Sequence, residues 1–267
     1  MKKLFTLLAL TITFSMNAQI WYSATNNSGS GASAIGQSTT ASGYNSTAMG
    51  RYTTASGIYS TAMGYETTAS GSISTAMGGS TTASGDTSTA MGKYTIASDY
   101  ASTVIGQYNS SGSSATSASS FSTSAPAFVI GNGTASNARS DAFKVMFNGD
   151  TTVSNDLTVS GDVVISSDAR LKSNIVSLGS TLPKLLQIDG KSYEMKGKQK
   201  IGVLAQEIKE VFPELVSEDD NEMLAVNYQG LVPVLINALK EQQSEIDRLK
   251  KQEKRIERLE NLVANID

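Results

Sequence analysis

The chain has 267 residues and contains no cysteine and no histidine. Thiolate nucleophiles, Ser-His-Asp triads and metal sites built on thiolate or imidazole ligands are therefore excluded. The groups left for covalent chemistry are hydroxyls and amines, and both occur in Ser167-Asp168-Ala169-Arg170-Leu171-Lys172. Taken alone, a serine or aspartate ahead of helix-forming residues is a common helix start, in which the side chain caps the backbone. A chemical role for this segment depends on the sequence around it.

Three blocks follow this segment in a set order. Together with the hexapeptide they resemble the intramolecular chaperone domain of phage endosialidase tailspikes, the S74 peptidase family, over residues 167 to about 243. The resemblance implies a domain that promotes trimerisation and cuts its own chain. The family motif, Ser-Asp-x-x-x-Lys, places the nucleophile on Ser167, the base on Lys172 and the cut between Ser166 and Ser167. The blocks are Gly202-Val-Leu-Ala-Gln-Glu207, Phe212-Pro-Glu-Leu-Val216 and Val226 to Glu241.

Such a pair can work without histidine, because a neutral lysine amine can accept the proton of a serine hydroxyl. A free lysine has a pKa of about 10.4, so Lys172 must be desolvated, or lie near another cation, to lose its proton. Arg170 is a candidate for that cation, or it has a structural role and pairs with Asp168 or Glu207. Burial of Lys172 in an assembled trimer would tie the cut to assembly. The alternative is a chaperone domain that is not cut and stays as a permanent trimerisation cap.

The first half of the chain must bring the copies together, and it is a strict repeat. Its unit reads Ser-Thr-Ala-Met-Gly-x-x-Thr-Thr-Ala-Ser-Gly-x-x, with apolar pairs such as Ala48-Met49 and Ala62-Met63 at fixed positions. Fixed apolar positions in a short period predict a coil of short parallel strands whose turns stack at about 4.8 Å. Two glycine series mark the turns, with Asp99 breaking the second: Gly36, Gly50, Gly64, Gly78, Gly92 and Gly106, then Gly43, Gly57, Gly71 and Gly85.

The repeat also resembles the head of trimeric autotransporter adhesins, from about Ser33 to Gly106. That resemblance implies a left-handed parallel β-roll and a homotrimer. Because the inward residues are small, one copy buries little apolar area, and the Met and Ile stripe is expected to pack against other copies. Threonine pairs such as Thr39-Thr40 and Thr53-Thr54 recur once per coil, and a flat threonine ladder could instead bind ice.

Further short strands and a long helix are expected downstream. Phe128 to Gly133 and Ala142 to Gly149 read as strands closed by Asn-Gly turns, and Asp156 to Gly161 and Asp162 to Ile165 as further strands of a β-rich neck. From Leu231 the chain reads as helix, and Ile256, Leu259, Val263 and Ile266 have the 3-4-3 spacing of a coiled coil. The alternative is an amphipathic helix that packs on its own domain.

The N-terminus resembles an export signal. Lys2 and Lys3 precede an apolar run from Leu4 to Phe14, and cleavage is expected after Ala18. No later segment has the roughly 20 apolar residues of a membrane span. With a net charge of −3, nothing points to nucleic acid or an anionic membrane. We expect an exported protein at the cell surface or outside the cell, with no metal and no cofactor, whose partners are its own copies and a possible surface receptor.

The predicted fold class is a mainly β stalk, which is a trimeric left-handed parallel β-roll with a short β neck, plus an α+β chaperone domain ending in a coiled-coil helix. The predicted order is a signal peptide (1–18), head repeats (19–110), a β-rich connector (111–166), the chaperone domain (167–243) and a coiled-coil tail (244–267).

Overall fold

The computed structural model describes residues 25–110, 117–219 and 222–265. The expected signal peptide and Ile266 lie outside the described residues. The chain divides into two compact units, Met1–Val163 and Val164–Asp267. Within the described residues, no helix has both the length and the hydrophobicity that crossing a membrane requires.

The first unit contains a parallel β-solenoid of about six turns over residues 26–107. Each turn contributes one strand to a sheet of five-residue strands, here the long-strand sheet, and one to a sheet of two-residue strands, the short-strand sheet. The long strands are β2 (Ser33–Gln37), β4 (Thr47–Arg51), β6 (Thr61–Tyr65), β8 (Thr75–Gly79), β10 (Thr89–Lys93) and β12 (Thr103–Gln107). The short strands are β1 (Asn26–Asn27), β3 (Thr40–Ala41), β5 (Thr54–Ala55), β7 (Thr68–Ala69), β9 (Thr82–Ala83) and β11 (Ile96–Ala97).

Strand residues of successive turns pair with their equivalents 14 positions later, as Ala48 with Ala62 and Met49 with Met63. Because side chains alternate along a strand, the alanine of each Ala-Met pair is buried inside the coil and the methionine lies outside. The first threonine of each pair, such as Thr53, is also fully buried, whereas Thr54 lies on the surface. The surface threonine ladder is therefore one residue wide instead of two.

The two glycine series have different causes. Gly78 and its equivalents adopt a positive φ of about +121 to +124° from Gly36 to Gly92, which favours glycine. Gly85 needs no positive φ, but a Cβ there would collide with the carbonyl oxygen of Asp99 in the next turn. Asp99 breaks the series because the solenoid ends there. Its carboxylate accepts a hydrogen bond from the Ser117 backbone N–H at 3.0 Å.

The last turn is closed differently on its two sides. On the short-strand side, the buried Asn109 side chain accepts from the Ile96 N–H at 2.8 Å and donates to the Ile96 carbonyl at 3.0 Å. The side-chain amide thus takes the place of a further strand. On the long-strand side, β13 (Pro126–Asn132) adds in parallel to β12. Two antiparallel strands, β14 (Asp141–Met146) and β15 (Thr151–Val153), follow.

The strands expected over Asp156 to Gly161 and Asp162 to Ile165 do not form. These residues are exposed and lie outside any sheet. A strand requires a neighbouring strand to pair with, and no described strand runs beside these residues. That prediction was wrong for the single chain, although residues 126–153 do form the β structure expected of the neck.

The second unit is α+β and ends in a long helix, so the predicted fold class is confirmed. Its small core consists of Ile208, Phe212 and Val234, with half-buried neighbours such as Leu185 and Leu215. The elements are α1 (Leu182–Leu185), the hairpin β16 (Lys191–Met195) and β17 (Lys198–Gly202), α2 (Ala205–Val211), the hairpin β18 (Val216–Glu218) and β19 (Leu224–Val226), and α3 (Leu231–Ala264).

The second half of α3 extends beyond this core. Ile256, Leu259 and Val263 are more than half exposed along it. The helix is confirmed, whereas its assembly into a coiled coil stays a prediction.

Adjacent glycines give a direct test of the solenoid register. Gly78→Ala should lower the free energy of unfolding by at least about 1–3 kcal/mol, because the residue has a positive φ and the new Cβ would collide with the Gly92 carbonyl oxygen. Gly79→Ala is the matched control, since no atom lies within 4 Å of its added Cβ. Thermal and denaturant unfolding measure both, and equal loss of stability in the two variants would contradict this register.

Candidate functional site

The hexapeptide 167–172 folds as a tight turn. Ala169–Leu171 form one turn of 3-10 helix, and the Asp168 side chain caps it by accepting from the Arg170 N–H at 2.8 Å. The Arg170 guanidinium also binds the Asp168 carboxylate, with Nη2 and Oδ2 2.6 Å apart. Hydrogen bonds from the Arg170 side chain and then its backbone lower the pKa of Asp168, and the same pairing raises the pKa of Arg170. Arg170 therefore pairs with Asp168, and this structural pairing is one of the two roles expected for it.

This turn brings the two proposed reactive groups together. The Lys172 Nζ donates a hydrogen bond to the Ser167 Oγ at 2.8 Å. Both residues are exposed in the single chain. The contact places an amine where, once neutral, it could take the hydroxyl proton. Ser166, on the other side of the bond expected to be cut, is exposed as well.

Apolar side chains lie exposed on both sides of the turn. A soluble chain seldom leaves so many large apolar groups in water unless another surface covers them. The residues, with their exposed fractions, are Val163 (63%), Val164 (88%) and Ile165 (59%) before the turn, and Leu171 (72%), Ile175 (65%) and Val176 (84%) within and after it.

Further along the chain, Glu241 of α3 holds Ser180 and Thr181 to the domain. The Glu241 carboxylate accepts from the Thr181 backbone N–H at 2.5 Å and from the Ser180 hydroxyl at 2.7 Å. Thr181 is buried, and its hydroxyl also donates to the Val234 carbonyl at 3.0 Å. These donors, the Thr181 N–H first, lower the pKa of Glu241. Sequence reasoning missed this anchor, because a contact spanning 60 residues leaves no local pattern.

Glu207, the other partner considered for Arg170, lies elsewhere, in the first turn of α2. Glu207 accepts from the Asp189 N–H at 3.2 Å and forms an ion pair with Lys191 at 3.4 Å. These contacts join α2 to the β16–β17 hairpin, which is a structural role.

Comparison with protein families gives two matches. The YadA head domain repeat matches residues 28–53, 55–81, 74–95 and 83–109. The family described as chaperone of endosialidase, a peptidase S74 family, matches residues 167–217. No curated protein matches the chain significantly.

The chain thus contains YadA head repeats followed by a chaperone-of-endosialidase domain, and both predicted resemblances are confirmed. The two matches support a trimeric autotransporter-like adhesin that carries a chaperone domain, and they imply self-association. The head repeats suggest a surface protein.

The Glu241 anchor predicts a pH-dependent stability. The pKa of Glu241 is lowered in the folded state, so its stabilisation is complete above the unfolded pKa of about 4.3 and is lost as the pH falls through the lower folded value. Glu241→Gln should reduce the melting temperature at neutral pH and make little difference in strong acid. Glu245→Gln is the control: Arg248 lowers the pKa of Glu245 too, but this ion pair is exposed and lies within one turn of the same helix. Equal shifts for both variants in thermal melts would contradict the anchor.

Proposed function

We propose that this chain is an exported, trimeric, fibre-like surface protein whose C-terminal chaperone domain promotes trimerisation and then releases itself by a single cut between Ser166 and Ser167. The head repeats supply the adhesive or structural part. The families matched by the two halves support the assembly and the chaperone. The contact between Lys172 Nζ and Ser167 Oγ at 2.8 Å is the observation that carries the cut.

The position of Ser167 limits the chemistry to one route. Ser167 follows the bond to be cut, so its Oγ attacks the carbonyl carbon of Ser166 while a neutral Lys172 amine takes the hydroxyl proton. The bond from that carbon to the Ser167 nitrogen breaks, and Lys172 returns the proton to the leaving amine. The ester left between Ser166 and the Ser167 Oγ is then hydrolysed by water. Ser166 becomes a carboxylate, and Ser167 regains its hydroxyl.

Assembly is the proposed trigger for this reaction. In the structure the amine donates to the serine oxygen, whereas catalysis needs a neutral amine that accepts. Burial disfavours a charged ammonium, and the exposed apolar residues around the turn are suited to burial by other copies. Three chains packed at Val164, Ile165 and Val176 would exclude water from Lys172. The cut then follows assembly, and loss of the chaperone makes the β stalk slow to reopen.

The main alternative is a chaperone that is never cut and caps the fibre permanently. It shares the head, the trimer and the long helix with the proposal and differs only in the covalent state of the product. The intact mass of the purified protein decides between them.

Wild-type protein should yield two fragments, 19–166 and 167–267, by mass spectrometry and denaturing gel. Ser167→Ala should give the full-length chain alone, because the nucleophile is lost. Lys172→Arg should slow the cut by at least about 100-fold, because a guanidinium stays protonated and cannot act as the base. Ser166→Ala is the control, and it should still be cut.

Two fragments from Ser167→Ala would overturn the assignment of the nucleophile. A full-length wild-type trimer, with no fragment after prolonged incubation, would favour the permanent cap.

A further inference from the structure

The solenoid repeat varies chiefly at two pairs of corner positions per turn. The C-corner is the last residue of each long strand and the one after it, such as Arg51-Tyr52. The N-corner is the pair formed by the third and the second residue before each long strand, such as Tyr44-Asn45. All the aromatic residues between 26 and 108 occur at these corners. The side chains that distinguish one turn from another are thus concentrated on two edges.

Side chains at each corner stack on one another along the solenoid axis. At the C-corner the Arg51 guanidinium lies 4.7 Å from the Tyr52 ring centroid, and the Tyr52 and Tyr65 centroids are 6.0 Å apart. At the N-corner the Tyr44 and Tyr59 centroids are 5.6 Å apart. These four rings remain 43–52% exposed in the single chain. Each edge therefore presents an ordered aromatic surface that the chain itself does not cover.

The two edges flank the methionine column of the long-strand sheet. Met49 and Met91 are 37% and 41% exposed in this column. The opposite, short-strand sheet carries threonines such as Thr54 and Thr68 on its surface and no aromatic residue. The exposed aromatic rings of both corners and the methionine column between them therefore lie on the same side of the solenoid.

We propose that neighbouring copies in the homotrimer meet C-corner to N-corner at the same turn, with the methionine columns facing the three-fold axis. The proposal rests on the trimer of the proposed function and names its contacts in the head. The two edges differ in composition, so the interface is heterologous, and a heterologous contact that closes forms a ring. When the three-fold axis of the trimer runs parallel to the solenoid axis, each turn lies at the same height as the same turn of the next copy.

In this register the side chains of the four middle turns match one another. In the first of these turns a cation and an aromatic ring face an aromatic ring, and in the second an aromatic ring faces an aliphatic and an aromatic side chain. In the third turn two small residues face a pair with one large member. In the fourth turn a lysine faces an aspartate. The C-corner and N-corner pairs are Arg51-Tyr52 with Tyr44-Asn45, Tyr65-Glu66 with Ile58-Tyr59, Gly79-Ser80 with Ser72-Ile73, and Lys93-Tyr94 with Asp86-Thr87.

The Lys93 and Asp86 pairing cannot form within one chain. The five residues of β10 separate the two corners, a distance of roughly 16 Å at the usual rise of a strand. Within its own chain the Asp86 carboxylate accepts from the Ser72 N–H at 2.8 Å through Oδ1. An ion pair between Lys93 and Asp86 must therefore join two copies and would use the other carboxylate oxygen.

A disulfide test is clean because the natural chain has no cysteine. The double variant Ser72→Cys/Ser80→Cys places one thiol on each edge of the same turn. Mild oxidation should convert the trimer into covalent trimers on a non-reducing gel, since each copy links to the next. Each single variant should give none. In the matched double variant Ile58→Cys/Ser80→Cys the N-corner thiol lies one turn away, and it should cross-link several-fold less, because a disulfide requires Cβ atoms about 3.5–4.5 Å apart.

Changing the charges at Lys93 and Asp86 gives a readout that is independent of the disulfides. Lys93→Asp should reduce the fraction of trimer that survives heating in detergent, because three aspartates would then face the Asp86 carboxylates of neighbouring copies. Adding Asp86→Asn to that variant should restore most of the trimer, because the amide oxygen still accepts from the Ser72 N–H of its own chain and no carboxylate then faces the new aspartate. Failure of the second change to restore it would count against the contact.

Light scattering before oxidation separates the two proposals. A monomeric chain would refute the trimer itself, and the interface with it. An intact trimer in which the same-turn pair does not cross-link, or links less than the shifted pair, would overturn the corner contact and leave the trimer standing.

Discussion

The structure of the head depends on one constraint: each residue of a turn pairs with its own equivalent in the next turn. Stacking at about 4.8 Å brings like onto like, so Ala48 lies on Ala62 and Gly64 on Gly78. The interior of the regular turns is then filled by alanine, serine and threonine, and glycine is required where carbonyl oxygens approach closely. A chain built in this way gains little from its own core. Its large side chains are left on the outside, where other copies can cover them.

The second unit depends on other copies for a different reason. Its core is small, and the long helix continues well beyond it with apolar residues exposed. The Ser167 and Lys172 pair is held by a local turn, and further along the chain Glu241 fixes Ser180 and Thr181 to the same long helix. The long helix, an element suited to self-association, is thus bonded to Ser180 and Thr181, which follow the proposed cut along the chain.

Much of the fold could be predicted from the sequence, because a 14-residue period is visible without any structure. The same period explains Asp99, once the solenoid is seen to end there. The strands expected at 156–165 failed, because alternating apolar residues do not say whether a pairing partner exists in the same chain. The Thr39-Thr40 type of pair was interpreted as a surface ladder, although alternation along a strand buries the first threonine.

The site divides in a similar way. Ser167 and Lys172 were identified through a family motif, and the structure adds their contact and the fork between Arg170 and Asp168. Glu241 could not be foreseen, since it interacts with Thr181 only after α3 has packed on α1. Residues that act through tertiary contacts leave no spacing in the sequence, whereas residues within one turn do.

The Asn109 amide at the end of the solenoid has a consequence for length. By hydrogen bonding to both backbone groups of Ile96, it closes a sheet edge that would otherwise invite uncontrolled growth by strand addition. The closure depends only on the final turn and is indifferent to how many turns precede it. Whole 14-residue modules could therefore be gained or lost upstream during evolution, lengthening or shortening the head while the same terminator remains in place.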